Sequence, residues 1–433
     1  MRILLLHPPG GYKEASGRAE SLGLGYVAAV LRRDGHEVEI FDANCQCLKI
    51  GETVREIVRR DFDCLGITAM HDFRKHVISV VQAVRKKKKD ALIVVGGYLP
   101  TLETEQFFAR CPEVDFVVRG EGETVVSDVF GRIERGEDWR GAPGVAYRSD
   151  GVVVMNPPPP LIRDLDSLPF PARDSLIHVP TVPNAVISGS RGCYHNCSFC
   201  SIVAFYGVSG AHQPRFRSPG NVVDEIESVL ASTGRTSFQF VDDDFIGPGA
   251  KCRERAIGIA EEIRARKLKI SFGIECRADE VDEDILKLLK EAGLSGVFLG
   301  IESGVQRQLD TYDKRTTVEQ NRRAIDLARR LDLSVRSGLI IFDPYSTMSD
   351  LMENLKFIQE TGSGAGSALE SRVLLYRGAP LTERVRADGL LIENGLELGY
   401  RFKDRKIALL WRVLKTFTSC SVLLKRLTKL IRR

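Results

Sequence analysis

The stretch Ser190-Arg-Gly-Cys-Tyr-His-Asn-Cys-Ser-Phe-Cys200 sets Cys193, Cys197 and Cys200 in the spacing C-x3-C-x2-C. Three thiolates can hold three irons of a four-iron, four-sulfur cubane, which leaves one iron open. An open iron is a coordination site for a small molecule, so such a cluster can do chemistry as well as carry electrons. Other readings of the same cysteines stand beside this one. A ferredoxin-type site needs a fourth cysteine, and the next along the chain is Cys252. A zinc site wants four Cys or His ligands, and His195 or His212 offers the fourth. A disulfide fits poorly, because no export signal is visible and thiols inside a cell stay reduced.

Outward from this motif, the 433-residue chain is 43% hydrophobic and 28% charged, which fits a globular fold of two or three domains with ample core. A net charge of +4 implies no field over the whole molecule for a polyanion. The charge is uneven: residues 401–433 hold eleven Lys or Arg against Asp404, a net +10 that leaves the remainder at −6. Met1–Leu6 is apolar but is cut off by Pro8 and Pro9, too short for a signal peptide, and no 18-residue apolar span exists. A cytoplasmic enzyme is expected. The other seven cysteines are scattered and read as buried thiols; the Cys45-x-Cys47 pair is weak evidence for a second metal site.

The pattern predicts an α/β protein in four parts. Residues 1–140 alternate short apolar runs (Arg2–Leu6, Glu37–Phe41, Cys64–Thr68, Leu92–Gly96, Asp115–Val118) with amphipathic stretches, the signature of a flavodoxin-like, Rossmann-like parallel sheet. Residues 141–184 read as a linker, with a hairpin of Gly144–Arg148 and Val152–Met155 and then the stiff run Pro157–Pro160. Residues 185–385 carry a second series with strands near 185–189, 237–242, 270–275, 296–301, 335–341 and 368–374, which suggests a partial (β/α)6 barrel. Residues 386–433 form a basic segment. The three cysteines follow the first strand of the barrel series, at the rim where catalytic groups gather in such folds.

The spacing, with Phe199 before the last cysteine, resembles the signature of radical S-adenosylmethionine (SAM) enzymes. The resemblance implies that the open iron chelates the amino and carboxylate groups of SAM and that an electron from the cluster cleaves it to a 5′-deoxyadenosyl radical. Further motifs match the family in order through residues 185–385. Phe240-Val-Asp-Asp-Asp-Phe245 follows the second strand, where relatives receive the SAM amino group; Asp242 and Asp243 are the candidates, against a reading as a solvated turn. Gly273-Ile-Glu-Cys-Arg277 puts Glu275 and Arg277 on one face of a strand, either as an ion pair or as candidate SAM-binding residues at the barrel mouth. Gly300-Ile-Glu-Ser-Gly304 brings Glu302 and Ser303, and a carboxylate suits the two ribose hydroxyls of SAM. Phe199, Phe205 and Tyr206 flank the cluster, where aromatics can cover adenine or exclude water. Tyr206 is a candidate donor of a proton or hydrogen atom, although a packed loop aromatic is the plainer reading.

The amino-terminal part resembles the cobalamin (B12)-binding domain that precedes the barrel in a large subgroup. The matching residues are Leu22-Gly-Leu-Gly-Tyr26, Gly96-Gly97 after the fourth strand, and Arg119-Gly120-Glu-Gly-Glu123 after the fifth. No D-x-H-x-x-G is present, so cobalt is not expected to take a histidine in that mode. His71, just past the third strand, is as readily structural. Two outcomes stay open: a working cobalamin site with C-methylation at an unactivated carbon of a small natural-product-type substrate, or a vestigial scaffold. The second would suit dehydration or deoxygenation of a sugar or aminoglycoside diol, as in apramycin-type diol dehydratases. A non-catalytic iron–sulfur or zinc scaffold is the alternative from another class. A methylthiotransferase acting on RNA would want a second cluster and a terminal β-barrel, and neither is evident. Expected cofactors are a [4Fe–4S] cluster, SAM and, in the first outcome, cobalamin; the expected partners are a small-molecule substrate and a flavodoxin- or ferredoxin-type electron donor, with no nucleic acid. Ile407, Leu410, Trp411, Leu414, Phe417, Leu424, Leu427 and Ile431 recur at helical spacing in the basic tail, for packing, a partner or a membrane surface.

Overall fold

A computed structural model describes residues 1–10, 18–210, 212–363 and 371–416. The chain divides into two compact units. The first comprises Met1–Tyr194, Ser201–Cys276 and Asp282–Gly296; the second comprises His195–Cys200, Arg277–Val281 and Val297–Arg433.

The first unit opens with strands β1 (Arg2–His7), β2 (Glu37–Asp42), β3 (Cys64–Thr68), β4 (Leu92–Gly96) and β5 (Phe116–Val118), with helices α1 (Leu22–Arg33), α2 (Ile50–Arg59), α3 (Arg74–Arg85), α4 (Tyr98–Leu102), α5 (Thr104–Arg110) and α6 (Gly122–Glu134) after and between them. The five strands are parallel. They are apolar runs because helices cover both faces; Ile3, Leu5, Leu24, Leu31, Val94, Phe116 and Phe130 share one core cluster. Each such side chain contributes about 1.5–3 kcal/mol on burial.

The hairpin β6 (Val145–Ser149) and β7 (Val152–Met155) belongs to this sheet, whose order is β2-β1-β3-β4-β5-β6-β7. β6 pairs antiparallel with β5, Phe116 opposite Tyr147. The expected linker hairpin is therefore the sheet's edge. The reason lies in Val145 and Ala146, which are fully buried, and in the contact of Trp139 with Phe116, ring centroids 4.6 Å apart.

The first unit continues through α7 (Asp174–His178), β8 (Ala185–Ile187), β9 (Ser190–Arg191), α8 (Ser201–Gly207), β10 (Arg215–Phe216), α9 (Pro219–Thr233), β11 (Ser237–Phe240), α10 (Ala250–Ala265), β12 (Ser271–Arg277, whose last residue belongs to the second unit) and α11 (Glu283–Glu291). β8, β11 and β12 pair in parallel, with Phe238 opposite Ala185 and Ser237 opposite Ser271. α9 shows why sequence sets these boundaries. Ser218 caps it by accepting from Asn221 N, Pro219 stands in the first turn, and Gly234 ends it at φ +69. A buried ionic knot ties the unit together. Arg173 grips Glu20 and Glu225, Arg217 grips Glu225, and Glu20 also accepts from Val186 N at 3.0 Å.

The second unit holds most of β13 (Leu294–Glu302), then α12 (Gln306–Thr311), α13 (Val318–Arg330), β14 (Ser334–Leu339), α14 (Met348–Thr361), α15 (Pro380–Ala387) and the hairpin β15 (Leu391–Asn394) with β16 (Glu397–Tyr400). Its core gathers Tyr312, Ile340, Tyr345, Val373, Leu381, Val385 and Tyr400. The strand expected at 368–374 falls partly outside the described residues; beyond them it is reduced to a bridge between Phe342 and Arg372. In the tail, 405–416 are helical, Ile407 is fully buried and Trp411 lies 5.1 Å from Phe342, so this turn of the amphipathic face packs on its own unit. Phe417, Leu424, Leu427 and Ile431 lie outside the described residues. Among the described residues no helix is long and apolar enough to cross a membrane.

Candidate active site

The cysteine motif is held at both ends by the fold. At its start, Gly189 N donates to Asp242 Oδ2 at 3.0 Å and Ser190 Oγ donates to Asp242 Oδ1. Arg255 donates to the same carboxylate at 2.9 Å. Asp242 is 0% exposed. Expected at the SAM ammonium, it is instead saturated by the loop it anchors. Asp243 takes the next step, accepting from Gly192 N at 3.1 Å. Gly192 has φ +92, and a Cβ there would lie 2.7 Å from His212 O. Only glycine fits that position, immediately before Cys193, whose own N donates to His212 O at 3.1 Å.

The end of the motif lies in the second unit. Ser198 N donates to Tyr312 O at 2.8 Å, Ser198 Oγ to Thr311 O at 3.0 Å, and Leu381 N to Ser198 O at 2.8 Å. Cys200 N closes a turn onto Cys197 O at 3.0 Å. Phe199 packs edge-on against Tyr312, centroids 5.5 Å apart, so this aromatic anchors the loop. Cys197 is buried, and Cys193 and Cys200 are half-buried. The residues that offered a zinc alternative have partners: His195 Nε2 is 2.6 Å from Glu280, and His212 Nδ1 donates to Cys193 O.

Beside Cys197, Arg277 is clasped by Asp279, and this ion pair holds its charge on despite burial. Glu302 adopts φ +59, a left-handed conformation that costs a non-glycine residue about 1–3 kcal/mol. Such strain gathers at functional positions. Its Oε1 accepts from Lys314 Nζ at 3.1 Å. Burial works hardest against the Lys314 charge, but Glu302 and Cys197 together offset it, and the pKa is raised. Ser303 was expected at the cofactor too. It is 0% exposed, and its hydroxyl meets Gln308 and Asn354 inside a buried amide network, so it braces the turn after β13.

The first unit contains a cavity of about 550 Å³ above and between its parallel strands, the size of a small-molecule site. Gly96, Gly97 and Gly120 are among its lining residues. Gly97 has φ +103 and Gly120 φ +75, so both need glycine's freedom. Its lining is mostly apolar, with Ile3, Leu31, Val94, Val126 and Phe130, and includes the polar side chains of Arg191, Glu121, Tyr206 and Asp243. Arg191 pairs with Glu121 and Glu123, and Phe205 stacks on Tyr98 with centroids 4.1 Å apart. Asp243 is exposed by area, yet it lines the cavity with protein around it, and its carboxyl is pushed up to about 7, by burial first and by Asp242 and Glu275 next. Burial pushes the Tyr206 phenol up as well. For Glu275 the backbone is the described contact, its carbonyl accepting from Phe245 N at 2.8 Å.

His71 is not among the cavity residues; its Nε2 lies 3.0 Å from Glu103. His7 lines the cavity instead, Nδ1 3.0 Å from Asp42 Oδ1, and Ser175 donates to the other oxygen of Asp42 at 2.7 Å. Sequence reading missed His7 because it ends an apolar strand and belongs to no motif.

Residues 12–130 match the B12 binding domain and residues 187–358 match the radical SAM superfamily. An uncharacterized methyltransferase of Pyrococcus horikoshii is 30% identical, over 90% of this chain and 84% of its own. This chain is a radical SAM enzyme with a B12-binding domain. An anaerobic magnesium-protoporphyrin IX monomethyl ester cyclase of Rubrivivax gelatinosus is 31% identical to the radical SAM enzyme over 83% of its chain, which spans 66% of that cyclase. In structure the enzyme resembles the cobalamin-dependent S-adenosylmethionine radical enzyme OxsB (TM-score 0.81, 20% identity, 96% of this chain and 66% of that one). It also resembles the radical SAM methyltransferase TsrM of Kitasatospora setae (TM-score 0.73, 18% identity, 89% and 76%). At these identities the two structures establish the fold. The cofactors that the two domains serve are a [4Fe–4S] cluster, SAM and cobalamin.

Proposed function

We propose that this enzyme is a cobalamin-dependent C-methylase acting on an unactivated carbon of a small organic molecule. The observation that carries the reading is the cavity. A vestigial scaffold has no use for a largely apolar cavity lined by three glycines, whereas an aromatic nucleotide tail needs one. The fit is chemical as well as spatial: the lining combines hydrocarbon with a few polar side chains, as a ligand with an apolar end and an amide-rich ring requires. The methyltransferase relative from Pyrococcus horikoshii, matched over most of both chains, supports the same class.

When bound, the cluster and SAM supply a 5′-deoxyadenosyl radical, and cobalamin supplies a transferable methyl group. The chain's residues do the rest. Cys193, Cys197 and Cys200 would hold the cluster through three thiolates. Asp242 and Asp243 fix the loop that presents Cys193, and the turn bonded to Tyr312 fixes Cys197 and Cys200. Glu302, held at its strained backbone and paired with Lys314, is the carboxylate for the SAM ribose. Tyr206 and the Phe205–Tyr98 stack exclude water from the cavity. Asp243, with a pKa near neutrality at the cavity, is placed to take or give a proton there. A one-electron donor of flavodoxin or ferredoxin type must supply the electron.

The test is anaerobic reconstitution with iron, sulfide and hydroxocobalamin, followed by reduction and addition of SAM. A methylase forms S-adenosylhomocysteine, because it must recharge its methyl carrier. Retention of cobalt with 5′-deoxyadenosine as the sole SAM product would replace methylation with another radical outcome. Failure to retain cobalt would remove the cobalamin reading altogether.

A further inference from the structure

We infer that Arg277 is a positioning residue that sets the reduction potential of the cluster by hydrogen-bonding to its ligand Cys197, an inference that rests on the cluster assignment above. Arg277 ends β12 and is 4% exposed. Its Nη1 lies 3.4 Å from Cys197 Sγ, within hydrogen-bond reach for sulfur. The remaining geometry aims that donor. Asp279 grips the guanidinium through Nε and Nη2, both at 3.0 Å, and Lys314 O accepts from Nη2 as well. A planar fork held by three hydrogen bonds through Nε and Nη2 keeps its remaining nitrogen toward the sulfur. Lys314, also 4% exposed, adds a second buried cation to the same group of residues.

The consequence follows from charge. One-electron reduction places added negative charge on the cluster and its thiolates. An N–H donor and buried positive charge stabilise that form more than the oxidised one, and in a poorly solvated site the effect is strengthened. Arg277 therefore raises the potential, making the cluster easier for an outside donor to reduce. This differs from the SAM contact expected from sequence: a SAM ligand changes SAM affinity, while a sulfur donor changes the cluster with no SAM present.

The experiment is an EPR-monitored redox titration of reconstituted, SAM-free holoenzyme, wild type against Arg277→Gln and Arg277→Lys, with iron and sulfide content matched. The expected result is a negative shift in Arg277→Gln. At the wild-type midpoint the reduced-to-oxidised ratio should fall about tenfold, which is about 59 mV for one electron. Arg277→Lys should shift in the same direction by less. Equal midpoints overturn the inference, as does a shift seen solely with SAM present alongside weakened SAM binding. If Arg277→Gln loses its cluster, Arg277→Lys decides: a negative shift supports the inference and an unchanged midpoint overturns it. A wild-type cluster that titrates but never cleaves SAM sinks the functional reading and leaves this one standing.

Discussion

Substituting Gly192 by alanine should dismantle the cluster without unfolding the protein. The new methyl would stand 2.7 Å from His212 O and 3.1 Å from Gln213 O, both backbone atoms that cannot rotate aside. The φ of +92 adds strain of about 1–3 kcal/mol for a residue with a side chain. Relief requires the loop to move, and that breaks the bonds from Gly192 N to Asp243 and from Cys193 N to His212 O. Two such bonds are worth about 0.5–1.5 kcal/mol each. Staying put costs that strain plus the clash, and shifting costs the two bonds, about 1–3 kcal/mol in sum. A domain stable by about 5–15 kcal/mol survives either course. The loop therefore gives way before the fold does, and Cys193 leaves its place. Gly207→Ala is the control, since a Cβ there meets nothing within 4 Å. The assay is iron and sulfide content after anaerobic reconstitution, with circular dichroism melting alongside. Gly192→Ala should hold less than half the wild-type iron and melt within several degrees of wild type, while Gly207→Ala should match wild type in both. A Gly192→Ala protein with full iron content and undiminished SAM cleavage would refute the reasoning.

Three further outcomes are expected. Arg173→Ala strips buried Glu20 of its counter-ion and leaves Glu225 with Arg217, and should cost about 3–5 kcal/mol in urea unfolding of the apoprotein; a loss under 1 kcal/mol would show that water reaches the knot. Asp243 holds its proton up to about 7 when folded against an ordinary value of 3.8, so its contribution to stability is full below pH ~4 and is lost as pH rises through ~7. Melting of the apoprotein at pH 5 and pH 8 should therefore show a smaller drop in Asp243→Asn than in wild type, and equal drops would place the carboxylate in bulk water. Gly97→Ala puts a Cβ 2.8 Å from Ala69 O at φ +103, and bound cobalt should fall at least tenfold while cluster iron is unchanged; unaltered cobalt would move the cobalamin site elsewhere.

The chain's local patterns carried much of this enzyme. Strand spacing in 1–140 and in the barrel series, the caps of α9, and the cysteine motif are all set within a few residues of one another, where periodicity and covalent spacing leave few options. The glycines at 97 and 120 were readable for the same reason: a left-handed backbone leaves its mark on residue type. Tertiary structure alone decided which side chains meet. Asp242 and Asp243 looked like one acidic pair on a strand end, yet one is buried beneath the cysteine loop and the other faces the cavity. Arg277 reaches a cysteine 80 residues earlier in the chain. His7, the histidine at the cavity, carries no motif at all, and the hairpin at 145–155 pairs with a strand that sequence gave no reason to prefer over solvent. Spacing along a chain fixes what a residue can do, but a hydrogen bond or a desolvated charge depends on neighbours that only the packed chain brings within 3 or 4 Å.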